Sequence, residues 1–362
     1  MTEISYQSCI DKLAGERVML VGGAGFIGHN LALELTSKGI ETMIFDNLMF
    51  NSLIENVYNN QREAVQAELY RGFLLERFEI LRKSPKLTMK NGDARIMTDL
   101  ARAFHEFKPT KVVHLSAIAS AVRARHDPGL CFDLQLVTLR NVLELCRERV
   151  GEINQIMLLS SSTVYGDFET PTVTEDTRPQ PKGIYANTKY MAERLVRTYC
   201  HQHGLGTTII RPSALYGERC VSQRVSQMFI ENALAGKPLR LEGGGDGRLD
   251  FTYIADLVDG MVRALALHEG SGISETFNIT YGNARTIKDL FDIVKEMVPN
   301  AIGVETARAE DKPVRGTLST AHAEEKLGFK ASWSLETGYR RYAEWYIERW
   351  DQARQRTLTN SQ

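Results

Sequence analysis

Val18-Met-Leu-Val-Gly-Gly-Ala-Gly-Phe-Ile-Gly28 is a short apolar run that breaks into spaced glycines. The apolar residues predict a buried strand, and Gly22, Gly25 and Gly28 predict a turn whose backbone can approach a ligand closely. A helical pattern follows over Asn30–Lys38. The unpaired N–H groups and the positive dipole end of such a helix favour an anion such as a pyrophosphate. The stretch therefore predicts a dinucleotide-binding turn.

Asp46 strengthens this prediction, because it ends the next strand-like run, Glu41–Phe45. An acid about 20 residues beyond the turn can accept hydrogen bonds from both hydroxyls of an adenosine ribose. The same carboxylate would repel a 2′-phosphate, and no arginine follows it to compensate. The sequence therefore predicts NAD rather than NADP.

The composition argues against several classes of protein. The chain has 362 residues, 43% of them hydrophobic, which is enough for a full core, and its net charge of −1 gives no electrostatic case for nucleic acid or anionic membranes. The N-terminus has no basic start followed by an apolar run, and no window approaches about 18 apolar residues, so we expect neither a secretory signal nor a membrane span. The scattered cysteines predict reduced thiols in a cytoplasmic protein and no metal site. They are Cys9, Cys131, Cys146, Cys200 and Cys220.

Strand-like runs alternate with helical patterns through the first two thirds of the chain. The strand-like runs are Val18–Val21, Thr42–Phe45, Leu87–Lys90, Lys111–Leu115, Gln155–Ser160 and Thr207–Arg211. The helical segments between them are Asn30–Lys38, Asp99–Phe107, Asp133–Arg149 and Tyr185–His203. This alternation predicts an α/β fold with a doubly wound parallel sheet.

After Arg211 the pattern changes to short strands mixed with helices, which predicts a smaller C-terminal α/β lobe. Its predicted elements are Val221–Ala235, Leu239–Leu241, Ile254–His268, Phe277–Thr280, Ile287–Met297 and Leu335–Ala353. We divide the chain into an N-terminal extension (1–15), a nucleotide-binding domain (16–212), a substrate-binding lobe (213–350) and a tail (351–362).

Residues 50–86 are longer than a compact crossover requires, and Asn60–Lys83 has helical spacing of apolar residues. One hypothesis is that this inserted helix packs on the domain. The other is that it covers the substrate or contributes to a dimer contact.

Tyr185 and Lys189 lie four residues apart at the start of a predicted helix, so they share one face. A phenol with a pKa near 10 becomes a useful base at neutral pH only when cations stabilise its anion, which Lys189 and a nicotinamide ring can do. Ser160–Thr163 are four consecutive hydroxyl residues at the end of a predicted strand. Ligands bind at this edge of such sheets, so these hydroxyls are candidates to bind a substrate oxygen.

Further segments accompany these motifs: Phe45–Leu48, Asn91–Arg95, His114–Ala117, Arg211–Gly217, Leu249–Asp256 and Lys326–Phe329. Together they resemble the extended short-chain dehydrogenase/reductase family, in its nucleotide-sugar epimerase and dehydratase branch, over about residues 16–345. The resemblance implies a Rossmann-like NAD-binding domain with a smaller substrate-binding lobe. It also implies a homodimer formed by the helices at Asp133–Arg149 and Tyr185–His203.

The resemblance assigns site residues by position. The implied cofactor contacts are Gly22, Gly25, Phe26, Ile27, Gly28, Asp46, Asn47, Asp93, Ala94, Leu115, Ser116, Ala117, Tyr185, Lys189 and Pro212. Asp93 and Ala94 would hold the adenine, and Leu115–Ala117 would line the pyrophosphate and nicotinamide ribose. The implied catalytic residues are Ser161, Ser162, Thr163, Tyr185 and Lys189.

The type of reaction depends on Ser162 and Thr163. Dehydratases of this branch usually carry a carboxylate in this pair, and a hydroxyl cannot replace it as a general acid or base. We therefore expect an NAD-dependent nucleotide-sugar epimerase that transiently oxidises a sugar hydroxyl, at C4, to a ketone. A 4,6-dehydratase or a 4-keto-sugar reductase is an alternative within the family. A non-catalytic NAD-binding regulatory protein is an alternative of another class, which the retained Tyr185 and Lys189 disfavour.

Three positions depart from the usual family pattern. Gln135 stands where the family often has an Asn that contacts the cofactor ribose, and in the substrate clamp Ala214 and Leu249 replace a common Asn and Arg. Guanidinium groups suit bidentate pairing with a diphosphate. The arginines expected to bind it are Arg219, Arg248 and Arg315.

Overall fold

The computed structural model describes residues 4–54, 57, 62–118, 120–267, 274–309 and 312–360. Its strands are β1 (Arg17–Val21), β2 (Glu41–Asp46), β3 (Leu87–Asn91), β4 (Lys111–His114), β5 (Gln155–Leu159), β6 (Thr172–Val173), β7 (Gly206–Arg211), β8 (Leu215–Tyr216), β9 (Leu239–Glu242), β10 (Arg248–Leu249), β11 (Thr252–Tyr253), β12 (Ser274–Asn278), β13 (Arg285–Thr286), β14 (Gly303–Thr306) and β15 (Thr317–Leu318).

The helices cover both faces of the main sheet and build the C-terminal lobe. They are α1 (Tyr6–Lys12), α2 (Phe26–Ser37), α3 (Ala64–Arg82), α4 (Met97–Phe107), α5 (Ala121–His126), α6 (Pro128–Phe132), α7 (Thr138–Arg147), α8 (Gly183–His203), α9 (Val225–Leu234), α10 (Ile254–Ala266), α11 (Ile287–Met297), α12 (Ala321–Leu327) and α13 (Leu335–Asn360). The helix predicted over Asp133–Arg149 begins as a π-helical turn, Asp133–Val137, before α7. His268, the predicted end of α10, lies outside the described residues.

Seven strands form one parallel sheet in the order β12-β7-β5-β4-β1-β2-β3. Alternate residues of β1 enter different apolar cores: Val18 and Leu20 join one, and Met19 and Val21 join the other. All four are fully buried, as expected for a strand covered by helices on both faces. This confirms the predicted doubly wound α/β fold.

Strand β12 corrects the predicted domain division. The sequence placed Phe277–Thr280 in the C-terminal lobe, but Ser274–Asn278 pair in parallel with β7 as an edge of the main sheet. Phe277 lies opposite Ile210, and both side chains are fully buried. An uncovered β7 would leave its backbone N–H and C=O groups unpaired, and a strand from far along the chain satisfies them. The division after residue 212 is therefore wrong for this strand.

The two ends of the chain are also integrated into the fold. Helix α1 packs on α10, and the Tyr6 hydroxyl donates to Glu34 Oε1 on α2 at 2.8 Å. Helix α13 continues to Asn360, so most of the predicted 351–362 tail is helical. Residues 1–3 and 361–362 lie outside the described residues.

Helix α3 shows how the inserted segment packs. It lies along α13, where the Phe73 and Trp345 rings stack with centroids 4.9 Å apart. The Tyr70 hydroxyl donates to the buried Glu231 carboxylate at 2.7 Å. The insertion thus packs on the domain, the first of the two hypotheses; residues 55, 56 and 58–61 lie outside the described part.

All five cysteines are buried free thiols. Within the described ranges, no helix is both long and apolar enough to cross a membrane. The same ranges contain no group of three or more His, Cys, Asp or Glu side chains placed to hold a metal ion.

Candidate active site

A cavity of ≈ 700 Å³ opens where β1, β4, β5 and β7 end. Its wall includes the glycine turn after β1, Leu115–Ala117 after β4, Leu159–Thr163 at the end of β5 and Pro212–Leu215 after β7. The carboxyl edge of a doubly wound sheet is where such folds bind ligands, because the loops diverge there and leave a crevice.

The glycine turn has the shape that a dinucleotide requires. Gly22 has φ +80°, and a Cβ there would lie 2.7 Å from the backbone N of Ser116. A Cβ at Gly28 would overlap the carbonyl of Gly23, so this glycine allows α2 to pack closely on the turn. Gly25 caps α2 and lines the cavity, and a Cβ there would meet no protein atom closer than 3.8 Å. Space kept clear at a helix N-terminus fits a pyrophosphate.

Asp46 lies at this turn, as the sequence predicts. Its carboxylate accepts hydrogen bonds from the backbone N–H groups of Ala24, at 2.9 Å, and Leu48, at 2.7 Å. Burial raises the pKa of Asp46, and the two backbone donors oppose that rise. These bonds hold the carboxylate at the cavity wall, where it can meet a ribose.

Not all of the expected adenine contacts reach the cavity. Asn47 lines it and donates to Asp93 Oδ2 at 3.0 Å. Asp93 itself faces Arg95, whose guanidinium lowers the pKa of Asp93 to about 2, and Asp93 and Ala94 are not part of the cavity wall. The Ala94 carbonyl instead accepts from Asn141 Nδ2 at 2.8 Å. The other implied cofactor residues all line the cavity: Gly22, Gly25, Phe26, Ile27, Gly28, Leu115, Ser116, Ala117, Tyr185, Lys189 and Pro212.

The structure brings Tyr185, Lys189 and Ser161 to one end of the cavity. Burial raises the pKa of Tyr185, while the Arg224 guanidinium and a hydrogen bond with Ser161 lower it. The Lys189 ammonium donates to the carbonyl of Leu159 at 2.7 Å, and burial lowers its pKa to about 8. At neutral pH this lysine therefore remains mostly charged beneath the cavity.

Ser162 and Thr163 continue the wall beside Ser161. Ser161 caps a short 3₁₀ turn, Ser162–Tyr165, and its hydroxyl accepts from Thr163 N at 3.2 Å. The Thr163 hydroxyl is buried without a hydrogen-bond partner in the described part of the chain. A buried hydroxyl without a partner is costly, which is consistent with a role in binding a ligand oxygen.

Of the three expected arginines, only Arg315 lines the cavity, where it donates to the Ser162 carbonyl at 2.8 Å. The prediction that Arg219 binds the diphosphate is wrong for this structure. Its side chain contacts His29, Asn30 and Glu76 outside the cavity wall. The same prediction is wrong for Arg248. This residue is exposed on the β10–β13 ribbon, where it donates to the carbonyl of Ala284 at 2.6 Å.

Other arginines take their place. Among the described residues of the wall, the charged side chains are Lys189, Arg62, Arg77, Arg123, Arg224, Arg315 and the single carboxylate of Asp46. Arg62 and Arg77 belong to the insertion, Arg123 to α5, and Arg224 precedes α9; no sequence motif identified these four. The excess of cations suits a ligand that carries several phosphate charges.

The three positions that depart from the family pattern differ in whether they reach the cavity. Gln135 does not line the cavity; its amide nitrogen donates to Thr188 Oγ1 at 2.9 Å and to Cys131 Sγ at 3.0 Å. Ala214, at φ +33°, and Leu249 do line the cavity and leave parts of its wall apolar.

Comparisons with known proteins show which family this chain resembles. The NAD dependent epimerase/dehydratase family profile matches residues 18–280. UDP-glucuronate 4-epimerase 2 of Arabidopsis thaliana is 29% identical over 353 residues, which cover 92% of this chain and 76% of that protein. dTDP-glucose 4,6-dehydratase of Salmonella typhimurium is 25% identical over 362 residues, covering 91% of this chain and 92% of that enzyme.

A solved structure has the same fold. The UDP-glucuronic acid 4-epimerase from Bacillus cereus, in complex with UDP-glucuronic acid and NAD, superposes with a TM-score of 0.79 at 22% identity. The superposition covers 92% of this chain and 99% of that one. The sequence match spans most of the chain and includes the glycine turn, Asp46 and the Tyr185/Lys189 pair. This chain belongs to the NAD dependent epimerase/dehydratase family.

Proposed function

We propose that this protein is an NAD-dependent epimerase that inverts C4 of a nucleoside-diphosphate sugar. One observation carries the choice of reaction: among the described cavity residues, the only carboxylate is Asp46, at the end of β2. Three strand spacings, about 14 Å, separate β2 from β5 and its serines. The described catalytic end therefore has hydroxyls but no carboxylate to remove a proton beside a ketone or to expel a hydroxyl.

Tyr185 is the proposed base. Its phenolate takes the proton from the sugar hydroxyl and returns it after inversion, and the nearby Arg224 guanidinium stabilises the phenolate by its charge. Ser161, hydrogen-bonded to Tyr185, holds the same sugar oxygen in line with the phenol. Bound NAD supplies the hydride acceptor and, in the return step, the hydride donor.

Arg224 and Arg315 are the proposed cations for the sugar nucleotide. Both line the cavity at its catalytic end, since Arg224 acts electrostatically on Tyr185 and Arg315 donates to the Ser162 carbonyl. Burial lowers the pKa of Arg315 to about 10, so its guanidinium stays charged at neutral pH. A diphosphate there would replace the lost hydration of both side chains.

A dehydratase is the second candidate, because a dTDP-glucose 4,6-dehydratase is among the relatives. The test is to incubate the purified protein with NAD and, separately, UDP-glucuronic acid, UDP-glucose and dTDP-glucose, and to follow the products by NMR. A C4 epimer with no net change in NADH supports the proposal. A 4-keto-6-deoxy sugar indicates a dehydratase. A separate incubation with NADH and a nucleotide-linked 4-keto-6-deoxy sugar tests the keto-sugar reductase, which would oxidise the NADH. NAD binding without conversion of a sugar in either incubation indicates a regulatory protein.

We also propose a homodimer through α7 and α8. Helix α8 exposes Ile184, Met191 and Leu195 at 38%, 44% and 39%, and Met191 and Leu195 lie four residues apart on one face. Leu195→Glu should convert a dimer to a monomer in light scattering, and a monomeric unmodified protein would contradict this proposal. The five free thiols support a reducing compartment, and we propose a cytoplasmic location, testable by cell fractionation.

A further inference from the structure

Arg77 is a buried cation supplied by the inserted helix. It lies on α3, its relative exposure is 1%, and it forms part of the cavity wall. Its guanidinium donates to the carbonyl of Arg219 from Nε at 3.0 Å and again from Nη2. Nη1 donates to Asn51 Oδ1 at 3.0 Å and, more weakly, to the carbonyl of Ala24 at 3.5 Å.

In the described part of the chain, no carboxylate forms an ion pair with Arg77. Its acceptors are carbonyl-type oxygens from three segments, and Asp46 contributes only at longer range. Burial lowers the pKa of Arg77 to about 10, so the group is still a cation at neutral pH. A buried charge without a counter-ion is expensive, and a bound anion would offset that cost.

The position of Arg77 indicates which anion. Ala24 belongs to the glycine turn, and the next residue, Gly25, caps α2, so the guanidinium reaches the backbone that surrounds a bound pyrophosphate. Arginine only donates, so Asn51 must turn its oxygen toward Arg77 and its amide nitrogen away. That nitrogen lies 3.9 Å from the position of a Cβ on Gly25, in the cavity wall.

We propose that Arg77, together with the Asn51 amide it orients, binds the diphosphate of the dinucleotide. The insertion 50–86 then carries a cofactor-binding residue, besides its packing role. This inference rests on NAD binding and not on the identity of the sugar or the reaction.

The test compares Arg77→Met and Asn51→Ala with Arg82→Met, which removes an exposed charge from the same helix. Calorimetry on NAD-free protein measures the affinities for NAD, ADP, adenosine and UDP. Loss of a charged hydrogen bond should weaken NAD and ADP by about 10- to 100-fold in Arg77→Met, and less in Asn51→Ala. Adenosine and UDP should bind as before, and Arg82→Met should match the unmodified protein for all four.

An equal loss of NAD, ADP and adenosine affinity would overturn the proposal and make Arg77 a purely structural residue. A loss confined to UDP would assign Arg77 to the diphosphate of the sugar nucleotide instead. If Arg77→Met does not fold, Asn51→Ala and the charge-retaining Arg77→Lys decide: normal ADP binding by both would overturn the proposal. These are binding measurements, so they stand even if no sugar nucleotide is converted.

Discussion

The Nζ atom of Lys189 lies 2.7 Å from the carbonyl oxygen of Leu159, the last residue of β5. This hydrogen bond ties α8, which carries Tyr185, to the strand whose end carries the serines. The two catalytic segments are thereby held together by a buried ammonium whose pKa is lowered to about 8. The geometry of the proposed base thus depends on a group that is costly to bury.

Tyr185→Phe should remove turnover while leaving NAD bound. Loss of a general base typically costs about 10²- to 10⁴-fold in rate, and the phenol is the only such group that we propose. The measurement is kcat on the sugar nucleotide that the protein converts, with NAD affinity measured in parallel. Tyr199→Phe is the matched control, since that hydroxyl lies on the same helix but donates to Glu144. Near-normal turnover in Tyr185→Phe would refute the mechanism.

Lys189→Met should stabilise the NAD-free protein at neutral pH. The folded pKa, about 8, lies below the ordinary value of 10.5, so burial of the charged form costs stability at pH 7, by up to about 3 kcal/mol. Between these two values the unfolded chain binds more protons, so the stability of the unmodified protein rises with pH. The variant should therefore exceed the unmodified protein in free energy of unfolding by more at pH 7 than near pH 10, as measured by urea unfolding. A difference in free energy of unfolding that is the same at both pH values would contradict this prediction.

Thr163→Val should separate function from stability. The Thr163 hydroxyl is buried without a partner in the described residues, so an isosteric methyl should leave the melting temperature unchanged or raise it. If the hydroxyl binds the sugar, kcat/KM should fall by about tenfold. Thr198→Val, on the exposed surface of α8, serves as the control. Unchanged kcat/KM would show that Thr163 makes no contact with the substrate.

Phe73→Ala should strongly destabilise the protein, because Phe73 stacks on Trp345 and meets Tyr346 edge-on at 5.6 Å. Removing a buried phenyl ring typically costs about 3–5 kcal/mol. Leu75→Ala, at a 39% exposed site on the same helix, should change the free energy of unfolding by no more than about 0.5 kcal/mol. Chemical denaturation compares the two, and similar small effects would mean that α3 is not part of the core.

Local chemistry explains why much of the site was predictable. The glycine turn, Asp46 and the Tyr185/Lys189 pair depend on residues close together in the chain, whose geometry one strand, turn or helix sets. The helix predicted over Asn60–Lys83 also agrees with α3 in its type and approximate bounds. The packing of α3 on α13 could not be predicted, because an apolar stripe does not specify which element covers it.

The arginines illustrate the opposite case. Arg219 and Arg248 stand near motif residues in the sequence, yet their side chains satisfy carboxylate, amide or carbonyl groups away from the cavity. Arg77 lies in a helix with no motif but reaches the glycine turn. A long cationic side chain goes where its charge is compensated, and that depends on all the segments packed around it.

The chain's order of residues alone determined the doubly wound sheet, the dinucleotide turn and the phenol–lysine pair, because the periodicity and spacing of neighbouring residues encode strands, turns and helix faces. Tertiary structure alone decided that β12 joins the main sheet, that α3 packs along α13, and which cations line the cavity. These features depend on contacts between segments that are far apart in the chain. Backbone pairing, apolar burial and charge compensation at such contacts depend on the whole folded chain.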